Sequence, residues 1–358
     1  MEGKKLRILM VNNTRDENPS YVFRNKIVGQ NLEKLGHKVF YDVSAFGLDH
    51  DDYDVFIFNR FYEGTLLKYV TFLKSIGKTV IYETDDNYEA IDENNPYIKI
   101  KDNGVLSSRE LIGLSDGVTV STPELKAEIL KMFPKANVYV IPNALDLNQY
   151  KKRKGGNKKV KIGFQGSNIH VKDLLVVIDA IRELQEELDF DFEIFGIDDK
   201  SFKDLNRFCV EYKDRKWAWM NDFPLLYKKL AKIRYKHIPT VSYEQYRKKL
   251  SELNWDIGIA PLLDSRFNRS KSCLKFYEYA AVGTVTLASN VIPYTTEMDK
   301  EDLVKNRHDK WKSRLRRLIK DEQYRQERLY KQEKFVNEMR DIKKIAKTWE
   351  DVINLIKK

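Results

Sequence analysis

Short apolar runs alternate with amphipathic helical segments along almost the whole chain, and this alternation constrains the fold more than any single motif. Leu6–Val11, Val39–Tyr41, Val55–Phe58, Thr79–Glu83, Gly117–Ser121 and Val138–Ile141 read as strands. Between them, helical spacing runs over about Tyr21–Leu35, Leu66–Ile76, Leu106–Leu114 and Pro123–Met132. Strands separated by helices pair in parallel through right-handed crossovers, which predicts an α/β doubly wound sheet. A second series follows, with strands Val160–Gln165, Phe192–Phe195, Ile238–Val241, Ile257–Ala260 and Val285–Ala288. Its helices are Asp173–Leu188, Tyr243–Leu253 and Ser272–Ala281, then helices to the end, and the charged, aromatic-rich stretch Asp198–Lys236 reads as inserted helices. The basic, Gly-containing run Lys151–Lys159 has no periodicity and reads as a linker. The expectation is two facing Rossmann-like domains, residues 1–150 and 160–335, with a deep cleft between them. A C-terminal helix at about 336–358 is expected to pack back on the first domain.

Composition narrows the class. No stretch approaches the roughly 20 apolar residues that span a bilayer, and MEGKKLRILMVNN reads as a first strand rather than a signal peptide. A cytoplasmic protein with no transmembrane segment is expected. Cys209 and Cys273 stand far apart without metal-ligand spacing, so neither a disulfide framework nor a zinc site is expected. The net charge of +10 favours anionic partners: nucleotides, acidic lipid surfaces or nucleic acids. Much of the excess lies in KNRHDKWKSRLRRLIK, where the plainer reading is the solvated face of an amphipathic helix. A face for an anionic membrane surface, in peripheral contact, or for nucleic acid is the alternative.

Two loops carry the candidate chemistry. Trp255–Ser289 joins two apolar strands through a polar loop and a helix, with Lys271, Ser272 and Lys275 at the helix start and Glu278 farther along. A helix amino terminus at the carboxyl end of a parallel strand offers unpaired N–H groups to phosphate. KIGFQGSNIHVKDL places Gly163, Gly166, Ser167, Asn168, His170 and Lys172 at the end of another strand of the same sheet. Glycine there lets backbone approach a ligand.

In order, STPELKAEI, VIPNALD, the basic linker, KIGFQGSNIHVKDL, VSYEQYRKKLSELNWDIGIAPL and FNRSKSCLKFYEYAAVGTVTLAS resemble glycosyltransferase family 4, over roughly residues 79–294. The resemblance implies the GT-B fold and transfer of a hexose or pentose from a nucleotide-diphosphate-sugar with retention of configuration. By position, Lys172 matches the lysine on the donor diphosphate and Glu278 the carboxylate that holds the ribose. Tyr243 falls where the family contacts the base. Ser270 and Ser167 stand where the family carries a glutamate and an arginine, and His170, Lys271 or Arg269 are the candidates to replace them. With Gly166 and Ser272 these complete the expected donor set. After Tyr294 the usual loop and strand are replaced directly by charged helix, so the second domain reads as trimmed.

On the first domain, Asp85 and Asp86 follow a strand end and face the expected cleft. They suit acceptor binding or proton handling, although Asp serves turns and helix caps equally well. Asn12, Asn13 and Arg60 are the other acceptor-side candidates, with Arg15 and Arg24 nearby, while His37 reads as a helix end. No metal and no cofactor beyond the sugar nucleotide are expected. The expected acceptor is a hydroxyl on a glycan, lipid, protein or modified nucleic acid. Competing readings are a nucleotide-sugar epimerase on the same fold, a non-catalytic sugar-nucleotide sensor, and a nucleic-acid-binding protein or DNA-base glycosyltransferase.

Overall fold

The computed structural model describes residues 5–12, 19–43, 49–60, 66–91, 101–197 and 222–357, with backbone alone for 101–104. The candidate Asn13, Arg15, Cys209 and most of the 198–236 stretch lie outside them. The first sheet contains β1 (Arg7–Asn12), β2 (Lys38–Asp42), β3 (Val55–Asn59), β4 (Thr79–Thr84), β5 (Gly117–Val120) and β6 (Val138–Val140), ordered β2-β1-β3-β4-β5-β6. The second contains β7 (Lys161–Gln165), β8 (Asp191–Phe195), β9 (Lys236–Ile238), β10 (Ile257–Ala260), β11 (Val285–Ser289) and β12 (Leu303–Val304), ordered β12-β11-β10-β7-β8-β9. Every pairing is parallel. Strand order reverses between β1 and β3 in one sheet and between β7 and β10 in the other, the points at which open α/β sheets bind ligands.

Helices on both faces explain the strand composition. Val55, Phe56, Ile57 and Phe58 are all buried, as are Ile257 to Ala260, so these strands read as continuous apolar runs rather than alternating ones. Gly163 and Gly258 serve packing. A Cβ on Gly163 would meet the Trp255 ring at 1.8 Å, and one on Gly258 the Tyr279 ring at 2.4 Å. Gly163 therefore makes room for an indole, not for a ligand.

Several elements depart from the sequence reading. The helix expected over Tyr21–Leu35 opens with a turn at Pro19–Tyr21 and a π-helical turn, Val22–Lys26, before α1 (Ile27–Lys34). That turn buries Arg24, which makes bonds of 2.6 and 2.9 Å to Glu83 and one of 2.6 Å to the Ile141 carbonyl. The second sheet is not trimmed after Tyr294: two 3-10 turns lead into β12, which pairs Leu303 with Ala288 and Val304 with Ser289. Two residues are too short to read as a strand, and the partner supplies the signal. The expected strand Ile238–Val241 lies earlier, at Lys236–Ile238, because Pro239 has no N–H to give a ladder.

Helices α2 (Leu66–Ser75), α3 (Lys101–Leu114) and α4 (Pro123–Met132) follow the first-sheet strands, and α5 (Val171–Glu187), α6 (Asp222–Leu230), α7 (Tyr243–Glu252) and α8 (Leu274–Val282) the second. Thr122 caps α4, accepting from the Leu125 N–H at 3.2 Å with Pro123 in the first turn. Gly283, at φ 83°, stops α8 in the left-handed conformation. The chain ends in α9 (His308–Lys320), α10 (Glu322–Met339) and α11 (Ile342–Ile356). Much of the basic charge of α9 is spoken for: Lys312 pairs with Glu183 and Glu187 of α5, Arg316 with Glu187, and His308 with Glu183. Helix α11 packs on α1, where Trp349 lies under the Arg24 guanidinium at 5.0 Å and Glu350 meets His37 at 3.0 Å. Among the described residues no helix is long and apolar enough to cross a membrane.

Candidate functional site

A cleft of about 640 Å³ opens between the carboxyl ends of the two sheets, at both points of strand-order reversal. Asn12 from β1, Arg60 after β3, and Asp85 and Asp86 after β4 form one wall. The opposite wall comes from the loops after β7 and β8, helix α7, and the loop and first turns of α8.

The first wall is an ion cluster. Arg60, at φ 53°, donates to Asp86 and, at 3.3 Å, to the Tyr88 hydroxyl, and lies 3.7 Å from Asp85. Burial opposes its charge, but Asp86, Tyr88 and Asp85 outweigh that and hold its pKa above the ordinary value. Ser20 donates to Asp85 as well. Behind this wall Glu83 is buried, and burial raises its pKa against the pull of Arg24 and Thr119.

Three features build the second wall. Phe195, Tyr246 and Tyr243 form a continuous aromatic face: Phe195 and Tyr246 stack at 5.7 Å, and Tyr246 and Tyr243 at 5.6 Å. Phe23 from the first half meets Tyr243 edge-on at 5.9 Å. Beside this face Glu278, 4% exposed, accepts from Tyr150 at 3.2 Å, Tyr246 at 3.0 Å and Gln165 at 3.4 Å. Burial pushes its carboxyl up to about 7, against the hydrogen bonds from the two tyrosines. One turn earlier Lys275 lies over the Phe164 ring at 5.7 Å. Burial pushes its ammonium down to about 8; Asp173 opposes the shift and Lys271 adds to it.

His170 lies on the turn after β7, against Gly166, where a Cβ would meet the imidazole at 3.2 Å. Its Nδ1 is 2.8 Å from Asp173, whose other oxygen accepts from the Leu263 N–H at 2.8 Å. Burial, with Lys275 next in strength, pushes the imidazole down to about 4.

Most residues expected on the donor side meet here: Gly166, Ser167, His170, Tyr243, Lys271, Ser272 and Glu278 all line the cleft. Two do not. Lys172 points away, its Nζ 3.5 Å from Asp222 at the start of α6, because the first turn of α5 turns that position outward. Ser270 is buried in the contact between the halves: its hydroxyl accepts from Asn87 at 3.1 Å and its carbonyl from Thr122 at 2.8 Å. The adjoining turn Arg266–Arg269 seats Phe267 on Tyr88 and Ile91, and Arg266 pairs with Glu128. Asn143 donates to Ser272 at 2.8 Å across the same junction. Arg269 pairs with Asp264 on the surface.

Sequence reasoning passed over Phe195, Tyr246, Gln165 and Asp173, and gave Lys275 only a supporting charge. The spacing held a usable signal: Tyr243 and Tyr246, like Lys275 and Glu278, are three apart and share a helix face.

No protein-family model and no curated protein matches the sequence. Solved structures do. Sucrose-phosphate synthase from Thermosynechococcus elongatus superposes with a TM-score of 0.70 at 12% identity, over 98% of this chain and 99% of that one. Anabaena HepE in complex with UDP gives 0.66 at 12%, over 98% and 100%. An alpha-glucosyltransferase in complex with UDP and a 13-mer DNA containing an HMU base gives 0.66 at 13%, over the same shares. Two parallel six-stranded sheets facing one cleft, and this likeness over nearly the whole length of GT-B glycosyltransferases, give the chain the GT-B fold.

Proposed function

We propose that the protein is a glycosyltransferase that moves a sugar from a nucleoside-diphosphate-sugar to an acceptor hydroxyl. The observation that carries this reading is the second wall of the cleft, which brings together an aromatic face, a buried carboxylate and two lysines. A nucleobase stacks on Tyr243 and Tyr246, Glu278 accepts from the ribose diol, and Lys271 and Lys275 with the start of α8 receive the diphosphate. Uridine is the favoured base, since HepE and the alpha-glucosyltransferase are described with UDP.

In this reading residues 1–150 hold the acceptor and 160–335 the donor, with 151–159 between them and the C-terminal helix returned to the first half. The acceptor hydroxyl attacks the anomeric carbon from the face the diphosphate leaves, as in retaining enzymes of family 4. The anomeric C–O bond to the β-phosphate breaks, the bond to the acceptor oxygen forms, and the acceptor proton passes to the departing phosphate. Lys275 stabilises the charge that develops there, an electrostatic contribution of the kind that is often the largest in catalysis. Arg60 holds Asp86 and offsets part of the charge of the Asp85–Asp86 pair, which favours an acceptor-orienting role; the reaction is read as metal-independent.

Incubation of the protein with UDP-glucose and separate glycan, lipid, peptide and hydroxymethylated-DNA acceptors, with product analysis by mass spectrometry, tests the reading. Sugar transfer supports it. Conversion of the donor to an epimer without any acceptor would establish the epimerase instead, and binding of no sugar nucleotide would leave neither enzyme.

A further inference from the structure

Of the polar groups in the cleft, the His170–Asp173 pair has geometry that the transfer reaction as described above does not use. Asp173 is 4% exposed and both carboxylate oxygens are engaged, one by the Leu263 N–H at 2.8 Å and one by His170 Nδ1 at 2.8 Å. Hydrogen bonding from His170 and the charge of Lys275 hold Asp173 below the ordinary carboxylate range despite its burial, so it stays an acceptor. The proton of the shared bond therefore sits on Nδ1. Burial and the nearby lysines keep the ring neutral, and a neutral imidazole with hydrogen on Nδ1 presents a bare lone pair at Nε2. The ring lines the cleft and is wedged against Gly166, so that lone pair has a fixed position.

A lone pair repels phosphate oxygens and attracts O–H or N–H. Lys271 and Lys275 in the same wall have the opposite preference. The wall thus carries two lysines suited to the diphosphate and, beside them, a neutral acceptor suited to a hydroxyl. We propose that His170 is a specificity-determining residue that accepts a hydrogen bond from a hydroxyl of the transferred sugar, with Asp173 as the positioning residue that fixes its tautomer. The assignment rests on the reading of the cleft as a sugar-nucleotide site. It implies that the donor carries a free hydroxyl at the position facing Nε2, and that a deoxy sugar at that position is a poor substrate. Sites built to hydrogen-bond a hydroxyl discriminate strongly against analogues that lack it, because the protein group is left unpaired.

Asp173→Asn is the informative variant. The asparagine carbonyl still accepts from Leu263, and its NH2 donates to Nδ1, which moves the imidazole proton to Nε2 and turns the acceptor into a donor. His170→Phe removes the acceptor and keeps the ring. The measurement is calorimetric binding of UDP and UDP-glucose to wild type and both variants, with ADP, GDP and TDP and their glucose conjugates run beside them; the sugar nucleotide that wild type binds tightest is the one compared. Imidazole 15N chemical shifts report the tautomer of His170, and melting curves report folding.

The expected result is that His170→Phe binds the nucleoside diphosphate within about threefold of wild type and loses about tenfold or more on the sugar nucleotide. Asp173→Asn, which also takes away a charge supporting the Lys275 ammonium, loses about tenfold more on the sugar nucleotide than on the diphosphate, with its 15N pattern inverted. Equal losses on the diphosphate and the sugar nucleotide would place His170 on the nucleotide and overturn the proposal. Unchanged sugar-nucleotide binding in both variants, or a wild-type ring protonated on Nε2, would overturn it too. If wild type binds the free diphosphates but gains nothing from an attached sugar, the sugar contact fails while the nucleotide reading stands; binding of neither removes both.

Discussion

Lys275 and Lys172 offer a direct contest between position in the sequence and position in space. The family resemblance puts Lys172 on the diphosphate, whereas the structure turns it toward Asp222 and leaves Lys275 in the cleft, one helical turn from Glu278. Substitution of each by Met separates them. A hydrogen bond to a charged partner contributes about 1.5–3 kcal/mol, so Lys275→Met should weaken UDP binding by about 10- to 150-fold. Lys172 is about a third exposed and 3.5 Å from its partner; such pairs contribute about 0–1 kcal/mol, and Lys172→Met should change binding by less than about fivefold. The same substitution at Lys275 carries a second, opposite signature in stability. Burial lowers this amine to about 8, below the value near 10.4 of an unfolded chain. Between those values the unfolded state binds more protons, so stability rises with pH there, and below about pH 8 the buried charge costs stability in full. Lys275→Met should therefore melt higher than wild type at pH 7 while binding UDP more weakly. Calorimetry and thermal melting across pH 7–10 read both effects. The reasoning is refuted if Lys172→Met loses binding and Lys275→Met keeps it.

Three further outcomes follow from the geometry. Affinity of wild type for UDP should fall as pH rises through about 8, where Lys275 loses its charge, and Lys275→Met should show a flatter profile; an identical slope in both would refute the assignment. Arg24→Met strands the buried carboxylate of Glu83 and should cost about 3–5 kcal/mol in urea unfolding, with partial recovery on adding Glu83→Gln. Phe267→Ala empties a contact buried between Tyr88 and Ile91 and should cost about 3–5 kcal/mol; a loss below 1 kcal/mol would mean that the two halves do not rely on this contact.

The candidate site was legible where chemistry and strand ends coincide. Ser167, His170, Lys271, Ser272 and Glu278 follow recognisable strands, and the ends of parallel strands must converge on the cleft whatever the details. Ser270 was not legible as a structural residue, because its partners Asn87 and Thr122 lie far away in the chain, on the opposite half. The same holds for β12, whose two residues become a strand only beside Ala288 and Ser289. Asp173 marked only the start of a helix; its bond to Leu263 spans 90 positions and has no local trace.

By itself the sequence determined the two series of parallel strands, their helices and the loops that end at the cleft. Those properties depend on local period, and a strand buried on both faces has to be apolar throughout. Only the tertiary structure decided that Lys275 and not Lys172 faces the cleft, that Ser270 and Ser272 tie the two halves together, and that Asp173 engages Nδ1 of His170. These depend on the direction of side chains and on partners brought from distant strands, and a rotation of one helical position is enough to exchange a residue in the cleft for one in an ion pair on the surface.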